Sequence, residues 1–289
     1  MPRLRKPAPV AAQTASTLPP KAQKGSDAAL TQSDAAPARP APRPTGRSPQ
    51  AVTSSRTGPQ VKSWSYSRYR DYVQCPFMFK CKHLDKLKEA PSEAMERGIR
   101  IGGEMESFFK DPKLPVPADC TALSETYLEI RRQKPLVEQM WGLDKDWNPV
   151  AWNDWNACWL RVKMDIVYME KNIRRVHPLD NKTGKFKEKD VEVYLEQLDI
   201  YVAAAPAYFQ GAKDYAPALL YSDLGMRYPD LDDQGEPTLI YTQQDAMSAR
   251  LRWNYNVRGL FGETSWKPKP GNHCRWCSFS KSKGGPCEY

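Results

Sequence analysis

The chain has 289 residues and a formal net charge of +9, with 43 Lys and Arg side chains against 34 Asp and Glu. The excess positive charge indicates an anionic partner, and the absence of any apolar run of about 18 residues excludes membrane insertion. Residues 1–60 alone contain nine basic and two acidic side chains, a net charge of +7, so the rest of the chain is close to neutral.

The composition changes near residue 60. Residues 1–60 hold 11 of the 26 prolines and no aromatic side chain, so they have too little apolar surface to offset the entropy of ordering. We predict a disordered basic tail over residues 1–60 and one folded domain over residues 61–289. The tail contains no continuous apolar segment of the secretory type, which predicts a cytoplasmic protein, with the mitochondrial matrix as the second choice.

The folded part alternates between helical and strand patterns. Helices are predicted after Ser67 and over residues 92–109, 121–141, 188–205 and 243–257, and strands over residues 159–169, 175–180, 218–223 and 238–242. Pro178 predicts a bulge or an edge position for the second strand, because proline cannot donate a hydrogen bond to the ladder. The order of elements predicts an α/β sandwich around a small mixed sheet.

Charged side chains gather on the first two strands. Asp165 lies on the polar side of the first strand, Asp180 ends the second, and Lys182 follows on the same face. Two convergent carboxylates can hold a hard divalent cation, and a neighbouring lysine can neutralise charge that develops during phosphodiester hydrolysis. On the next helix, Gln197 and Tyr201 are four residues apart, where they can hold a phosphate or orient Lys182.

A D-x-K triplet is by itself a weak signal. Such a triplet arises by chance roughly once in a chain of this length, and residues 111–113 contain another one in a proline-broken loop. Taken alone, Asp180 and Lys182 would form an ordinary surface ion pair. The preceding strand with Asp165 and the following helix with Gln197 and Tyr201 favour a catalytic site instead.

A second set of residues consists of cysteines. Cys274 and Cys277 are three residues apart, Cys287 follows ten residues later, and Cys75 lies far upstream. Four thiolates from the two ends of the domain predict a metal centre that joins those ends; a C-terminal zinc knuckle or buried free thiols are the alternatives. The three remaining cysteines lack ligand spacing and are predicted to be core residues, namely Cys81, Cys120 and Cys158.

The two sets in this order resemble one family. The chain resembles the RecB-type exonucleases of the PD-(D/E)XK nuclease superfamily that carry an iron–sulfur cluster. The motifs that match lie at residues 67–76, 97–106, 165, 180–184, 197–201 and 274–287. The resemblance extends from about Tyr66 to the C-terminus, and the combination is much more specific than any single motif. It implies a mixed central sheet flanked by helices.

The resemblance also implies cofactors and residue roles. An Mg²⁺ or Mn²⁺ ion would be held by Glu106, Asp165 and Asp180. The implied catalytic residues are Asp165, Asp180, Lys182, Gln197 and Tyr201. A [4Fe–4S] cluster, with Zn²⁺ as the alternative occupant, would be held by four cysteines. Cys75 lies next to the chain's first helix, and Cys274, Cys277 and Cys287 lie in the segment 263–289.

Three departures from the family pattern stand out. Gly102 occupies the place where the family often has a histidine ligand. The interval between Cys277 and Cys287 is longer than usual, and Pro178 interrupts the strand that should present Asp180.

The function implied by the resemblance is that of a metal-dependent deoxyribonuclease. We expect an exonuclease that acts on single-stranded DNA or duplex ends in DNA recombination, repair or degradation. A helicase or a single-strand annealing protein is the expected protein partner. Two alternatives remain open: a catalytically inactive DNA-binding accessory protein with the same fold, which Gly102 suggests, and a zinc-stabilised interaction module.

Overall fold

A computed structural model describes residues 61–89 and 91–289. The predicted disordered tail over residues 1–60 lies outside the described residues, so the boundary at residue 60 stays a prediction. Helices and strands alternate along the described part as expected. No helix in this part combines the length and the apolar character that a bilayer crossing requires.

The regular elements are named here in chain order. The helices are α1 (Tyr66–Gln74), α2 (Pro76–Phe79), α3 (Glu93–Lys110), α4 (Ser124–Arg132), α5 (Val191–Ala204), α6 (Gln243–Asn256) and α7 (Arg258–Gly262). The strands are β1 (Leu136–Leu143), β2 (Pro149–Val150), β3 (Leu160–Glu170), β4 (Arg175–Lys182), β5 (Asp214–Tyr215), β6 (Ala218–Tyr221), β7 (Met226–Tyr228) and β8 (Tyr241–Thr242).

The strands form one mixed sheet with β4 near its centre. The main order is β2-β1-β3-β4-β5-β8, and β6 pairs with β4 and β7. Strands β1, β3 and β4 are antiparallel neighbours, whereas β5 and β6 pair in parallel with β4, one after the other. Strand β4, which carries Asp180 and Lys182, therefore has a partner on both sides.

The prediction that Pro178 marks an edge or a bulge of its own strand is wrong. Pro178 pairs with Val167 of β3 inside the sheet. On the other side of β4 the neighbouring chain is itself interrupted, because β5 ends at Tyr215 and β6 begins at Ala218. Since no strand residue faces Pro178 on that side, proline costs the parallel ladder no hydrogen bond.

Helices cover both faces of the sheet. Along β6, Leu219 and Tyr221 belong to the larger core and Ala218 and Leu220 to the smaller one, and this alternation puts the two cores on opposite faces. The larger core contains residues of α5 and α6, and the smaller one residues of α3 and α4. This is the expected α/β sandwich.

The predicted helix over residues 121–141 is wrong in its second half. Helix α4 ends at Arg132, and the chain continues as strand β1 from Leu136. The reason is local: Pro135 disfavours helical backbone in the residue before it, and Lys134 has a φ of +53°. The apolar residues after Pro135 therefore pair with β3 instead of extending the helix.

Strand β3 does not alternate as regularly as its sequence predicts. Val162 and Met164 face the larger core, but Ile166 faces the smaller one, so the alternation changes phase at Asp165. In the β1–β3 register, Val137 pairs with Ile166 and Gln139 with Met164, and the pairing skips Glu138, which lies at the level of Asp165 and has a φ of +50°. Left-handed backbone in a non-glycine residue costs about 1 to 3 kcal/mol, so the surrounding ladder must hold this distortion in place.

The fold generates a prediction about the close contact of β1 with β2. A Cβ atom on Gly142 would lie 2.7 Å from the backbone oxygen of Val150 and 3.1 Å from Sγ of Cys158. We expect Gly142→Ala to lower the free energy of unfolding by about 1 to 3 kcal/mol, measured by chemical denaturation. Gly262→Ala is the control, because its Cβ would meet no described atom within 4 Å. Equal stability of the two variants would contradict the prediction.

Candidate active site

Asp180 is a buried carboxylate at the end of β4. The residue is only 6% exposed, and its two oxygens have different surroundings. Oδ1 accepts hydrogen bonds from the hydroxyl of Tyr201 at 2.5 Å and from Nε2 of Gln197 at 3.0 Å. Nζ of Lys182 lies 2.5 Å from Oδ2 in an ion pair that does not have hydrogen-bond angles, which leaves Oδ2 without a directed donor among the described residues.

Helix α5 supplies the two side chains that hold Asp180. Gln197 and Tyr201 are four residues apart, so they project from one face, and Nε2 of Gln197 also donates to the Tyr201 hydroxyl at 2.7 Å. Burial, together with the charge of Asp180, raises the pKa of Tyr201 well above its usual value. The hydroxyl therefore stays protonated and donates to Asp180, and the pair orients the carboxylate rather than Lys182.

Asp165 joins the site from β3. Its Oδ2 accepts a hydrogen bond of 3.0 Å from the backbone N–H of Asn181, which follows Asp180 in β4. The Asn181 side chain is fixed in turn, since its Oδ1 accepts from Tyr127 at 2.5 Å and from Ser222 at 2.6 Å. The sheet thus brings the two sequence-predicted carboxylates together across adjacent strands.

The electrostatics of the pair favour a cation. Burial raises the pKa of Asp165 to about 7, and the neighbouring charge of Asp180 contributes in the same direction. Asp180 is buried and Asp165 is partly buried, and their carboxylates beside one lysine are hard oxygen donors of the kind that Mg²⁺ and Mn²⁺ prefer. In the described part of the chain, no group of three or more His, Cys, Asp or Glu side chains stands ready to hold a metal ion. The oxygen donors suit a hard cation in their chemistry, and a third ligand would have to move in.

Two clefts open on Asp165. The first, named here the α3 cleft, has a volume of about 520 Å³ and is lined by α3, β1 and β3. Glu106 lines it, so the predicted third ligand shares a cleft with Asp165, although its Oε1 lies 2.5 Å from Nζ of Lys110. The second, named the α1 cleft, has a volume of about 390 Å³ and reaches Asp180, Gln197 and Tyr201 past the start of α1.

Gly102 also lines the α3 cleft, and its position is open. A Cβ atom on Gly102 would meet no described atom within 4 Å. A side chain there would project into free space beside Glu106, so the fold has room for the missing histidine and the sequence does not supply it.

The Arg97-Gly98 motif connects α3 to the end of β4. The Arg97 guanidinium donates to the backbone oxygen of Thr183 at 3.1 Å and to both carboxylate oxygens of Asp223, at 2.9 and 2.7 Å. Gly98 lies next to this contact, and a Cβ there would be in ordinary van der Waals contact with the Thr183 hydroxyl at 3.6 Å, so the position does not require glycine. The motif therefore positions Glu106 relative to the carboxylate pair instead of touching it.

Sequence reasoning missed two charged residues in the α3 cleft. Glu138 and Lys163 form an ion pair there, and Lys163 also lines the α1 cleft. Lys163 could have been found, because it lies two residues before Asp165 on a predicted strand. Glu138 could not, because residues 133–141 read as helix and its proximity to Asp165 depends on strand register.

The four predicted cluster cysteines lie elsewhere, around one narrow cavity that all of them line, namely Cys75, Cys274, Cys277 and Cys287. Backbone N–H groups donate to two of the sulfurs, from Lys269 to Cys75 and from Gly271 to Cys274, each at 3.4 Å. Thiols with N–H donors on the sulfurs suit a thiophilic metal in their chemistry. Among the described residues, however, no three or more Cys, His, Asp or Glu side chains are arranged to hold a metal ion, so the cluster stays a prediction.

The cysteines differ in their surroundings. Burial raises the pKa of Cys277, and the neighbouring thiols of Cys75, Cys274 and Cys287 add to the shift. Cys81 is buried as predicted, but it packs in the same small cluster as Cys75 and Cys277. Cys120 and Cys158 are buried and do not line the cysteine cavity.

A comparison with protein families now identifies the fold. The model of the PD-(D/E)XK nuclease superfamily matches residues 63–282. The chain belongs to the PD-(D/E)XK nuclease superfamily. The mixed sheet flanked by helices is therefore confirmed as a PD-(D/E)XK nuclease fold. No curated protein is significantly similar to the chain in sequence.

Membership indicates the general function. The superfamily is one of metal-dependent nucleases that hydrolyse phosphodiester bonds of DNA, and Mg²⁺ or Mn²⁺ is the metal that it generally uses. The carboxylates of Asp165 and Asp180 lie within the matched residues, whereas Cys287 lies beyond them.

The raised pKa of Asp165 predicts how stability depends on pH. The folded protein holds the Asp165 proton up to about pH 7, whereas the unfolded chain loses it near the ordinary value of 3.8. Between pH 3.8 and about pH 7 the unfolded state therefore binds fewer protons than the folded state. As pH rises through this range, the carboxyl lowers the free energy of unfolding by roughly 1.4 kcal/mol per unit of pKa shift. Asp165→Asn should remove this loss.

Thermal melting of the metal-free protein at about pH 4 and about pH 8 tests the prediction. We expect Asp165→Asn to gain stability relative to the wild type at the higher pH. The control is Asp111→Asn, in the exposed second D-x-K triplet. Identical pH dependence of Asp165→Asn and wild type would show that the carboxyl titrates normally.

Proposed function

We propose that this protein is a Mg²⁺- or Mn²⁺-dependent DNA exonuclease of the RecB type, with a [4Fe–4S] cluster that joins the two ends of the domain. The observation that carries the proposal is the arrangement around Asp180. This carboxylate is oriented by Gln197 and Tyr201, approached by Lys182, and accompanied by Asp165 on the adjacent strand. A buried charged group held this way is typical of a catalytic centre.

Each residue of the site has a distinct task in this proposal. Asp165 and Asp180 hold the divalent cation, and Glu106 reaches it across the α3 cleft after it leaves Lys110. When bound, the cation supplies an acidified water and neutralises charge on the scissile phosphate. Lys182 donates to a phosphate oxygen as negative charge grows, a task for which its cationic Nζ is already close to Asp180.

The proposal extends to the biological setting. Exonucleolytic action on single strands or duplex ends, in DNA recombination, repair or degradation, is the activity that we propose, with a helicase or a single-strand annealing protein as partner. The basic segment over residues 1–60, with its net charge of +7, would add nonspecific attraction to DNA.

One observation favours a second candidate function. Gly102 leaves an open position in the α3 cleft, and Glu106 is paired with Lys110. If the cleft cannot complete a cation site, the protein is a DNA-binding accessory protein that retains the nuclease fold. The two candidates differ in whether Lys182 matters for cleavage.

Lys182→Ala is the decisive variant for the nuclease. We expect it to lower the rate of Mg²⁺- or Mn²⁺-dependent digestion of labelled DNA by roughly a hundredfold or more, because it removes a cation from the developing charge. Lys113→Ala, in the exposed second D-x-K triplet, is the matched control and should digest DNA like the wild type. Substrates are single-stranded and duplex DNA, labelled at either end.

Two results would count against the nuclease. Absence of digestion by the wild type, together with salt-sensitive DNA binding, would select the accessory protein. Digestion that Lys182→Ala leaves unchanged would show that another part of the molecule, or a contaminant, cleaves the DNA.

The cysteine cavity leads to a separate prediction. After anaerobic purification, the wild type should contain iron and acid-labile sulfide, and Cys75→Ala should lose both and melt at a lower temperature, because the ligand from the first helix is gone. Cys120→Ala, which removes a buried thiol outside the cavity, should keep its iron. If the wild type contains zinc instead of iron, the site is a structural zinc site. If it contains neither metal, the four cysteines are buried free thiols.

A further inference from the structure

The α1 cleft contains a positive group that the proposed chemistry does not use. Arg161 of β3 lines this cleft together with Asp165 and Asp180, and it is only 8% exposed. Its Nε donates to the backbone oxygen of Trp152 at 3.1 Å, and its Nη1 donates to the hydroxyl of Ser63 at 3.2 Å. Among the described residues, Nη2 has no hydrogen-bond partner.

The surroundings of Arg161 add positive charge. Arg68 of α1 donates to the same Ser63 hydroxyl at 3.3 Å, so two guanidinium groups meet at one neutral oxygen. Within the described part of the chain, Arg161 forms no ion pair with a carboxylate; its partners are neutral oxygens and aromatic rings. A buried cation without an acidic partner is costly, and an anion from outside would stabilise it.

A tryptophan covers this guanidinium and faces solvent on its other side. The Cζ atom of Arg161 lies 3.8 Å from the centroid of the Trp155 ring, and Trp155 is 63% exposed. Trp152, in the same loop, is partly buried at the rim of the α1 cleft. A large aromatic ring that rests on a cation and leaves much of its surface free is a suitable surface for a nucleobase.

The loop that carries Trp155 is held in place. Oδ1 of Asp154 accepts from the backbone N–H groups of Asn156 and Ala157 at 2.9 and 3.0 Å, and the N–H of Cys158 donates to the backbone oxygen of Asp154 at 2.8 Å. The exposed position of Trp155 is therefore part of a regular turn, so little ordering is needed when a base stacks on it.

We propose that Trp155 and Arg161 form a subsite for an unpaired DNA strand, with one base stacked on Trp155 and the adjoining phosphate attracted by Arg161. This inference rests on the proposed function and specifies its substrate. The faces of a base inside a duplex are covered by its neighbours, whereas an unpaired base is free to stack on a side chain. Arg161, on which the Trp155 ring packs, lines the α1 cleft together with Asp165 and Asp180, so a phosphate bound at Arg161 lies in the cleft that reaches the carboxylate pair.

Binding without cleavage tests the subsite. Fluorescence anisotropy in EDTA compares a labelled single-stranded oligonucleotide with a blunt duplex of the same sequence. We expect Trp155→Ala to weaken single-strand binding by about fivefold to a hundredfold, to change duplex binding by less than about twofold, and Trp155→Phe to restore most of the loss. Trp155 is exposed, so its replacement should leave the fold intact.

A matched control is available on α6. Tyr255 is 69% exposed and lies beneath Arg258, whose Cζ is 5.4 Å from the ring centroid, but Arg258, unlike Arg161, does not line the α1 cleft. Tyr255→Ala should bind single-stranded DNA like the wild type. The subsite is overturned if Trp155→Ala binds single strands like Tyr255→Ala, or if it weakens single-strand and duplex binding equally.

The phosphate part has its own variants. Arg161→Met should weaken single-strand binding and make it less salt-dependent, with a decrease of about one in the slope of log affinity against log salt, and Arg161→Lys should restore that slope. Arg250→Met is the control. Arg250 also packs on a tryptophan, and its Nη2 also has no partner among the described residues, but it does not line the cleft. Equal salt slopes of Arg161→Met and Arg250→Met would contradict the proposal that Arg161 attracts the phosphate.

The outcomes separate the subsite from the nuclease. If Lys182 governs digestion but Trp155→Ala binds DNA normally, this inference fails and the nuclease stands. If single-strand binding depends on Trp155 but no metal-dependent digestion occurs, the subsite stands and belongs to the accessory protein.

Discussion

The burial of the Asp180 carboxylate is the constraint that the rest of the site depends on. A carboxylate that is 6% exposed is stable only if its oxygens are paired. Tyr201 and Gln197 satisfy one oxygen from α5, and Lys182 neutralises the other from the end of β4. Helix α5 must therefore lie over β4 in one rotation and one register, and the larger core beneath it secures that arrangement.

The second consequence of this burial is the shared charge of Asp180 and Asp165. The sheet brings two carboxylates together across β3 and β4. Among the described residues one cation, Lys182, pairs with them, and their other donors are neutral, namely Tyr201, Gln197 and the backbone N–H of Asn181. The phase change of β3 and the left-handed backbone of Glu138 occur at the same level of the sheet. Strain and uncompensated charge thus coincide at the proposed metal site, as expected when a surrounding structure maintains a reactive centre.

The two ends of the described domain meet away from this centre. The backbone N–H of Lys269 donates to Sγ of Cys75, a residue 194 positions earlier in the chain. Contacts over such a separation gain the most from a bridging metal, because closing a long loop costs the unfolded chain more entropy. A cluster held there would stabilise the position of α1, whose first residues border the cleft that leads to Asp180.

The sequence by itself determined those parts of the site that depend on near neighbours. The shared face of Asp180 and Lys182 follows from the two-residue period of a strand, and that of Gln197 and Tyr201 from the four-residue spacing of a helix. The same local reasoning failed at residues 133–141, where Pro135 redirected the chain into β1.

Only the tertiary structure decided what depends on residues far apart in the chain. Glu138 reaches Asp165 through the register of β1 on β3, and Pro178 is tolerated in a central strand because the neighbouring chain is broken opposite it. Arg161 read as a polar strand residue, yet Trp155 and Ser63 bury it beside the α1 cleft. Register and burial are set by the whole core, and no local period contains that information.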